Sequence, residues 1–190
     1  VCHSITPNGG QLLTIEVDFV RWILAEVNTH RVLSRGYQSS RAIPVLKMLE
    51  QVANNPAMPV EWGTNKAGMQ AGQLLSPEDV KRAEAIWIKA ANFAVECATE
   101  LSDKEGLNVA KQISNRLLEP FMWTKGIVTG TLEGWQSVFK LRCHPDAQPE
   151  FRVLAETIEK AISDSTPDKL MWGQWHLPYI TVMPKTFAGE

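Results

Sequence analysis

Apolar and polar positions alternate near the start of the chain. Between Leu12 and Phe19 every second residue is apolar and several are β-branched, which is the pattern of a half-buried strand. The preceding Pro-Asn-Gly-Gly, residues 7–10, is a typical turn sequence, so the chain is predicted to open with a β-hairpin. A helix that ends just before His30 is predicted by the apolar stripe of Phe19, Val20, Ile23, Leu24 and Val27.

The strongest helix signal lies in the middle of the chain. Ser76 suits the N-cap, Pro77 the first helical position, and Asp79 the acidic position three residues after the cap. The helix is predicted to end near residues 103–106, where polar residues and a glycine interrupt the pattern. Its packing seam is predicted from residues that recur every three or four positions, namely Val80, Ala83, Trp87, Ala90, Ala94, Cys97 and Leu101.

Weaker patterns predict the remaining elements, which are helices at residues 45–52, 109–118 and 132–142 and a strand at residues 121–131. Asp146 is expected to cap a further helix. The apolar stripe of that helix is Phe151, Leu154, Ile158 and Ile162. Residues 53–75 and 164–190 have little periodicity, so we expect a long loop and an extended tail there.

Composition and charge indicate which classes of protein this chain could belong to. With 190 residues, 44% of them apolar, the chain has the length and apolar content of one domain, expected to span residues 1–190. The net charge of −2 argues against a nucleic-acid-binding surface. No apolar run approaches the ~20 residues that span a bilayer. Three cysteines without CxxC spacing favour the cytoplasm, and four scattered histidines predict no metal site.

One segment, residues 29–44, is far richer in functional side chains than the rest of the chain. It contains a histidine, three arginines, three serines and a glycine. Arginine forks bind phosphate through two points, and serine hydroxyls and turn amides complete the shell of an anion. The composition therefore indicates a site for a phosphorylated small molecule, although an ordinary solvated polar loop has a similar composition.

The spacing within that segment resembles the signature of the flavin-dependent thymidylate synthases, in which His-Arg is followed after seven residues by Ser-x-Arg. Later segments resemble the same family's Arg-x-x-Leu-Pro, Leu-Arg and Ala-Gln-x-Glu-x-Arg segments. The matched positions are His30, Arg31, Ser39 and Arg41, followed by residues 115–120, 139–142 and 147–152. Residues 39–44 and 175–179 resemble the compact, phage-type branch of that family.

The resemblance implies a fold, a reaction and a set of ligands. The implied fold is an α/β (α+β) protein with a small, mainly antiparallel sheet flanked by helices, assembled as a homotetramer. The implied enzyme transfers a one-carbon unit from methylenetetrahydrofolate to C5 of dUMP, giving dTMP. Reduced FAD, recharged by NADPH, supplies the hydride, because side chains cannot supply one. The expected location is the cytoplasm, or the host cytoplasm if the chain is phage-encoded.

The same resemblance assigns roles to particular side chains. Flavin contacts are implied for His30, Arg31 and Ser137. Contacts to the nucleotide are implied for Ser39, Ser40, Arg41, Arg116, Arg142 and Gln148. Ser39 and Arg142 are the candidate catalytic residues. A serine nucleophile needs an adjacent base, and no base stands near Ser39 in the sequence, so a hydroxyl that binds the nucleotide is the preferred role.

Each of these residues also has a purely structural interpretation. His30 could cap the carbonyl groups at a helix end. Arg116 and Arg142 could be ion-pair partners of Glu119 or Glu150. The cysteines fall outside the matched segments, which argues against the cysteine-nucleophile route of the flavin-free thymidylate synthases.

The chain also departs from the family pattern. Thr29 replaces the first arginine of the signature, Gly36 and Tyr37 replace an Asn-Glu pair, and Ser137 replaces an asparagine. These changes keep three alternatives open: a 5-hydroxymethyl product formed on the same scaffold, a non-catalytic protein that binds nucleotide or flavin, and a helical interaction module.

Overall fold

The predicted N-terminal hairpin begins the central sheet. In the computed structural model, which describes residues 1–180, strand β1 (Cys2–Ile5) pairs antiparallel with strand β2 (Gln11–Val20). The amide of Gly9 donates to the Thr6 carbonyl over 2.9 Å and closes the turn between the strands. The hairpin prediction is therefore confirmed.

The helix predicted from Phe19 is wrong in its first part. Phe19 and Val20 are the last residues of β2 and pair with Thr124 and Trp123 of strand β4 (Trp123–Thr131). Helical backbone begins only at a 3-10 turn, Arg21–Ile23, and continues as the short helix α1, Leu24–Val27. Aromatic and β-branched side chains suit a pleated surface, and pairing with β4 prevailed over the helical spacing.

The Ser and Gly content of residues 33–40, after His30, favours a turn, but part of this segment is a strand. Residues Ser34–Tyr37 form the edge strand β3, which pairs antiparallel with β4. The tight turn comes later, where the Ala42 amide donates to the Ser39 carbonyl over 2.9 Å. Turn composition was misleading here because Arg35 and Tyr37 face the core side of the strand, whereas Ser34 and Gly36 face the opposite side.

The sheet has the strand order β3-β4-β2-β1-β5. The short strand β5 (Asp168–Lys169) runs parallel to β1, and the other pairs are antiparallel. The predicted small, mainly antiparallel sheet flanked by helices is confirmed.

One face of the sheet is buried by two helices. They are α5 (Leu132–Arg142), which has its predicted bounds, and α6 (Pro149–Ser163). The apolar core that they share with β2 and β4 includes Leu13, Ile15, Val17, Val128, Trp135, Val138, Phe151, Ala155, Ile158 and Ile162. The predicted cap is wrong: Gln148 is the N-cap of α6, and the Asp146 carboxylate lies 3.6 Å from the His144 ring.

A second apolar cluster lies between α2 (Val45–Asn54), α3 (Pro77–Ser102) and a 3-10 helix, Asn115–Phe121. The short helix α4 (Lys111–Ser114) leads directly into that 3-10 helix. The predicted start of α3 is confirmed, since the Ser76 hydroxyl accepts from the Asp79 amide over 3.2 Å. Residues 53–75 form the predicted long loop between α2 and α3.

The predicted seam of α3 is confirmed in part, since its residues Trp87 and Ala94 pack against the second apolar cluster. Ala91 and Ala98 are the buried residues of this helix, whereas Ala90 is exposed. Ile86 and Phe93, which lie on the outer side, are 70% and 65% exposed. Spacing of three and four identified a helical stripe, but two adjacent stripes of this helix are apolar and only one packs inward.

The segment that contains His176 is hydrogen bonded to the other face of the sheet. His176 Nδ1 hydrogen bonds to Ser4 Oγ over 2.8 Å, and its Nε2 bonds to Thr14 Oγ1 over 2.9 Å. Thr14 Oγ1 also bonds to Thr129 Oγ1 over 2.7 Å. The predicted extended tail therefore follows the body as far as residue 180, and its last ten residues, 181–190, lie outside the described part.

Two further findings concern residues 1–180. No helix there combines the length and the apolar character that crossing a lipid bilayer requires. No group of three or more His, Cys, Asp or Glu side chains in this part of the chain is placed to hold a metal ion.

Candidate active site

The loop between α1 and β3 is shaped by Arg35. Its guanidinium donates to Asn28 Oδ1 over 2.8 Å and to the carbonyl oxygens of Asn28, His30 and Leu33 over 2.5, 2.7 and 2.8 Å. Carbonyls at a helix end lack partners within the helix, and an arginine side chain can satisfy several of them at once. Arg35 is thus committed to the loop, although the sequence suggested a positive charge available to a ligand.

His30 and Arg142 meet inside the molecule although 112 residues separate them. His30 leaves the end of α1 and is buried, with 8% of its surface exposed. Arg142 is the last residue of α5, and its Nε donates to His30 Nε2 over 2.9 Å. Two residues that the sequence placed at one site are therefore in direct contact.

Two further side chains hold Arg142. One of its terminal nitrogens donates to Glu26 Oε2 over 3.1 Å, and its guanidinium lies 4.5 Å from the centroid of the Phe151 ring. The same ring meets the His30 imidazole edge to face at 5.4 Å. Glu26, His30, Arg142 and Phe151 form one unit, which we call the histidine–arginine cluster.

The environment keeps the His30 imidazole neutral. Burial lowers the pKa of His30 below its usual range, and the positive charges of Arg142 and Arg35 lower the pKa further. Because Nε2 accepts the hydrogen bond from Arg142, the ring proton belongs on Nδ1. In the free protein His30 thus orients Arg142.

The second half of the signature forms an open cleft. Ser39 and Arg41 are exposed, and Ser39 Oγ accepts from the Arg41 amide over 3.3 Å. They line a cleft of about 540 Å³ whose full lining is Ser39, Arg41, Ala42, Ala110, Lys111 and Gln112. We call this the serine–arginine cleft.

Ser40, next to these residues, points into the protein. It is 4% exposed, and its hydroxyl donates to Glu119 Oε1 over 3.0 Å. The fully buried Asn115 donates from Nδ2 to the Ser40 carbonyl over 2.7 Å and to the Ile43 carbonyl over 3.2 Å. Ser40 and Asn115 therefore fix the backbone that carries Ser39 and Arg41.

Glu119 connects this turn to two arginines. Its carboxylate lies 3.6 Å from Arg21 and 3.6 Å from Arg116. Arg21 is largely enclosed and also donates to Thr124 Oγ1 over 3.1 Å, whereas the Arg116 side chain is 64% exposed. Arg116 can therefore reach a ligand. It also forms the ion pair with Glu119 that its structural interpretation predicted.

The remaining predicted site residues lie apart from these contacts. Arg31 is exposed and makes no hydrogen bond or ion pair within residues 1–180. Ser137 is exposed on α5, and its hydroxyl donates to the Glu133 carbonyl over 2.9 Å. Gln148 caps α6, and its carbonyl accepts from the amides of Phe151 and Arg152 over 3.0 and 2.9 Å.

Tyr37, one of the departures from the family pattern, packs into the core. Its ring meets Phe19 edge to face at 5.6 Å, and its hydroxyl is buried without a hydrogen-bond partner among the described residues. Burial raises the pKa of Tyr37 to about 12. The ring lies over Gly126 of the neighbouring strand, where any side chain would overlap it. In the free protein Tyr37 therefore completes the packing of the edge strand.

Several residues of the site were not identified from the sequence. Glu26 pairs with Arg142 from 116 positions away, and Lys111 donates to the Ala42 carbonyl from 69 positions away. Phe151, which packs against Arg142, stands inside the matched segment 147–152. Asn115 and Glu119 stand inside the matched segment 115–120, and that segment was the signal that could have identified them. Long-range side-chain contacts have no periodicity, so only the fold reveals the others.

Solved structures with a similar architecture include a UMP/dUMP methylase and a flavin-dependent thymidylate synthase. A UMP/dUMP methylase, PolB, from Streptomyces cacaoi, bound with 5-Br UMP, has a TM-score of 0.67 at 20% sequence identity. The match covers 85% of this chain and 70% of that chain. The flavin-dependent thymidylate synthase ThyX from Helicobacter pylori, complexed with FAD and dUMP, has a TM-score of 0.54 at 19% identity, covering 80% of this chain and 67% of that chain. At these identities the likeness shows the fold.

Sequence comparison gives the more specific result. No curated protein sequence matches the chain. The family model described as thymidylate synthase complementing protein matches residues 11–168, which include the hairpin strand β2, the signature and all the later matched segments. The resemblance to the family is confirmed, whereas the phage-type branch stays a prediction, and the chain belongs to the thymidylate synthase complementing protein family.

Proposed function

We propose that this protein is a flavin-dependent enzyme that transfers a one-carbon unit from methylenetetrahydrofolate to C5 of dUMP, giving dTMP. The observation that carries the proposal is the contact of His30 with Arg142. Within a chain of this family, it unites two matched segments that are 112 residues apart. A solvated polar loop would not need such a contact.

The nucleotide phosphate is assigned to the serine–arginine cleft. Arg41 is exposed there with no ion pair within residues 1–180, so its whole guanidinium fork is available. Ser39 adds a hydroxyl, whose oxygen accepts a hydrogen bond from the Arg41 amide and contacts no base among the described residues. A serine without a base is a weak nucleophile, so we assign Ser39 to binding and not to covalent catalysis.

Arg142 is assigned to the uracil ring. A guanidinium carries five N–H groups, and the contacts to His30 and Glu26 occupy two of its nitrogens. The remaining N–H groups can donate to a carbonyl oxygen of the base while the histidine–arginine cluster holds the side chain still. Such a donor stabilises negative charge that develops on that oxygen when C5 reacts.

The chain carries one feature that fits a flavin dinucleotide. Arg31 follows His30 directly and presents an exposed guanidinium without a partner in the described part of the chain, which suits a diphosphate. Reduced FAD would supply the hydride that a methyl product needs, with NADPH as the reductant. The proposal is consistent with the Helicobacter pylori neighbour, whose structure holds FAD and dUMP.

A homotetramer is part of the proposal. The outer stripe of α3 exposes Ile86 and Phe93, which are 70% and 65% accessible in one chain. Large apolar side chains on one helix face mark a surface that gains from being covered. Sedimentation equilibrium should therefore give a mass of four chains, and a monomer that still turns over dUMP would exclude a site shared between subunits.

The decisive experiment is turnover with product analysis. The purified protein is supplied with FAD, NADPH, methylenetetrahydrofolate and dUMP, and the nucleotide product is identified by mass spectrometry. We expect dTMP. A product heavier than dTMP by one oxygen would show the 5-hydroxymethyl alternative, in which water instead of hydride completes the reaction.

Controls separate loss of activity from a non-catalytic role. Omitting FAD should abolish turnover if the flavin supplies the hydride. A protein that binds FAD and dUMP but yields no modified nucleotide would identify a binding protein. A protein that binds neither would exclude the proposed function as a whole.

A further inference from the structure

The two walls of the serine–arginine cleft come from distant parts of the chain. Ser39, Arg41 and Ala42 line one wall, from the turn before α2. The other wall is formed by residues 110–112, at the start of α4. The signature segment, residues 29–44, contains only the first wall.

The cleft is unusually positive for this molecule. It is lined by two cationic residues, Arg41 and Lys111, and by no carboxylate. Neither cation forms an ion pair within residues 1–180, whereas Arg21, Arg116, Arg142 and Arg152 are each paired with a glutamate. In a chain of net charge −2, two unpaired cations facing one cleft are a site for an anion.

Lys111 is held at the cleft in the free protein. Its Nζ donates to the Ala42 carbonyl over 3.2 Å, which ties the ammonium group to the turn that carries Ser39 and Arg41. An ammonium group has three N–H donors, so two remain for a ligand. Lys111 is therefore oriented towards the anion site before a ligand arrives, which lowers the entropy cost of binding.

We propose that Lys111 is the second cation of the phosphate site, opposite Arg41, and that the pair selects a dianionic phosphate monoester over a monoanionic diester. This inference rests on the proposed function only in taking the nucleotide phosphate as the anion. Arg41 contributes a planar fork, whereas Lys111 contributes a compact charge, so the two cations contact different oxygens of one phosphate group.

The test uses three ligands that share the deoxyuridine part and differ in the group at its 5′ position, and therefore in charge. They are dUMP, its phosphate monomethyl ester and deoxyuridine, each titrated into the FAD-loaded full-length chain by calorimetry. Lys111→Ala should weaken dUMP binding roughly 10-fold, since one charge-assisted hydrogen bond is lost and an exposed lysine lies at the low end of the range for such bonds. The methyl ester, which has one negative charge fewer, should lose about 2-fold by the same electrostatic argument, and deoxyuridine should be unaffected.

Matched variants separate charge from packing. Lys111→Met keeps the apolar stem and should lose as much dUMP affinity as Lys111→Ala, whereas Lys111→Arg should stay close to the wild type. Lys81, an exposed residue of α3 outside the cleft, supplies the control, and Lys81→Ala should leave all three affinities unchanged. Because Lys111 is exposed, we expect the melting temperature to be the same in every variant.

The outcomes distinguish this inference from the function on which it rests. If Lys111→Ala weakens all three ligands equally, Lys111 acts only through the turn, and the inference is overturned. If Arg41→Ala weakens dUMP while Lys111→Ala does not, the phosphate site stands without Lys111. If neither variant affects dUMP in a protein that still binds it, the phosphate is bound elsewhere and its assignment to this cleft fails too.

Discussion

The histidine–arginine cluster and the serine–arginine cleft each take residues from the same segment, 29–44, but differ in their surroundings. In the cluster, Arg142 contacts a carboxylate, an imidazole and an aromatic ring, and His30 is 8% exposed. In the cleft, Arg41 and Lys111 are exposed and have no ion pair within residues 1–180. In the cluster the charged side chains are paired with one another, whereas in the cleft the N–H groups of the two cations remain available to a ligand.

The difference separates two ways in which a charged residue serves a site. A guanidinium held by several partners is fixed in direction, and its removal leaves partners without a bond. A guanidinium in solvent contributes little to stability and keeps its donors for a ligand. Changes in the cluster should therefore lower stability, whereas changes in the cleft should lower affinity alone.

The largest expected effect on folding comes from Arg142→Ala. Losing the bonds to His30 and Glu26 should lower the free energy of unfolding by about 1.5 to 3 kcal/mol, the range for hydrogen bonds to charged groups. Urea denaturation followed by circular dichroism measures this. Arg82→Ala, which breaks an exposed ion pair with Asp79, is the control and should cost no more than about 0.5 kcal/mol. If both variants lost the same free energy of unfolding, Arg142 would contribute no more to stability than an exposed ion pair does.

Arg41→Ala should give the opposite result. The dUMP affinity should fall by about 10- to 100-fold, because a charge-assisted fork to phosphate is lost, whereas the urea midpoint should not move. Arg41→Lys keeps the charge but not the fork and should lie between the wild type and alanine. Deoxyuridine, which lacks the phosphate, is the control ligand. An equal loss of deoxyuridine affinity would remove Arg41 from the phosphate site.

Arg31→Ala sharpens the comparison, because Arg31 is exposed like Arg41 but adjoins the cluster in sequence. We expect lower FAD occupancy, by less than 10-fold for one exposed contact, with the urea midpoint unchanged. Flavin absorbance of the purified protein, referred to its protein content, measures the occupancy. An unchanged occupancy would take Arg31 out of the flavin site.

The smallest expected effect is the pH dependence of stability due to His30. Its pKa in the folded protein lies below the usual value, so the unfolded chain takes up a proton near pH 6.5 that the folded chain does not. The free energy of unfolding should therefore fall as the pH is lowered through about 6.5.

Replacing this histidine tests the sign and the source of that dependence. His30→Gln should flatten the curve of stability against pH between about 5.5 and 7.5, which brackets the ordinary histidine pKa. The pKa of His176 is also lowered by burial, so His176→Gln is the matched comparison and should flatten it too. Identical curves for wild type and His30→Gln would show that His30 is not held neutral.

Most elements of the fold were predictable because their signals are local. The turn of the N-terminal hairpin, the cap at Ser76 and the helix at residues 132–142 depend on residues a few positions apart. The errors arose where a distant partner decided the outcome. Phe19 and Val20 joined β2, and residues 34–37 became β3, because both segments pair with β4, which lies far along the chain from each of them.

The site was predictable in its residue types but not in its contacts. The spacing of His30, Ser39 and Arg41 identified the segment, since family signatures are read along the sequence. No local pattern predicted that Ser40 would turn inward to Glu119 or that Lys111 would face Arg41. Those facts depend on burial and on the path of the chain between the segments.

The attachment of His176 to β1 has a consequence for how this protein is made. Ser4 and His176 are 172 positions apart, and β5, which covers the outer edge of β1, also lies far from β1 along the chain. Contacts between such distant residues form late, because the chain between them must first be ordered. During synthesis, therefore, β1 emerges from the ribosome well before the segments that complete it. Until those segments are made, the nascent chain carries an unpaired sheet edge, the kind of surface at which strands of different chains associate.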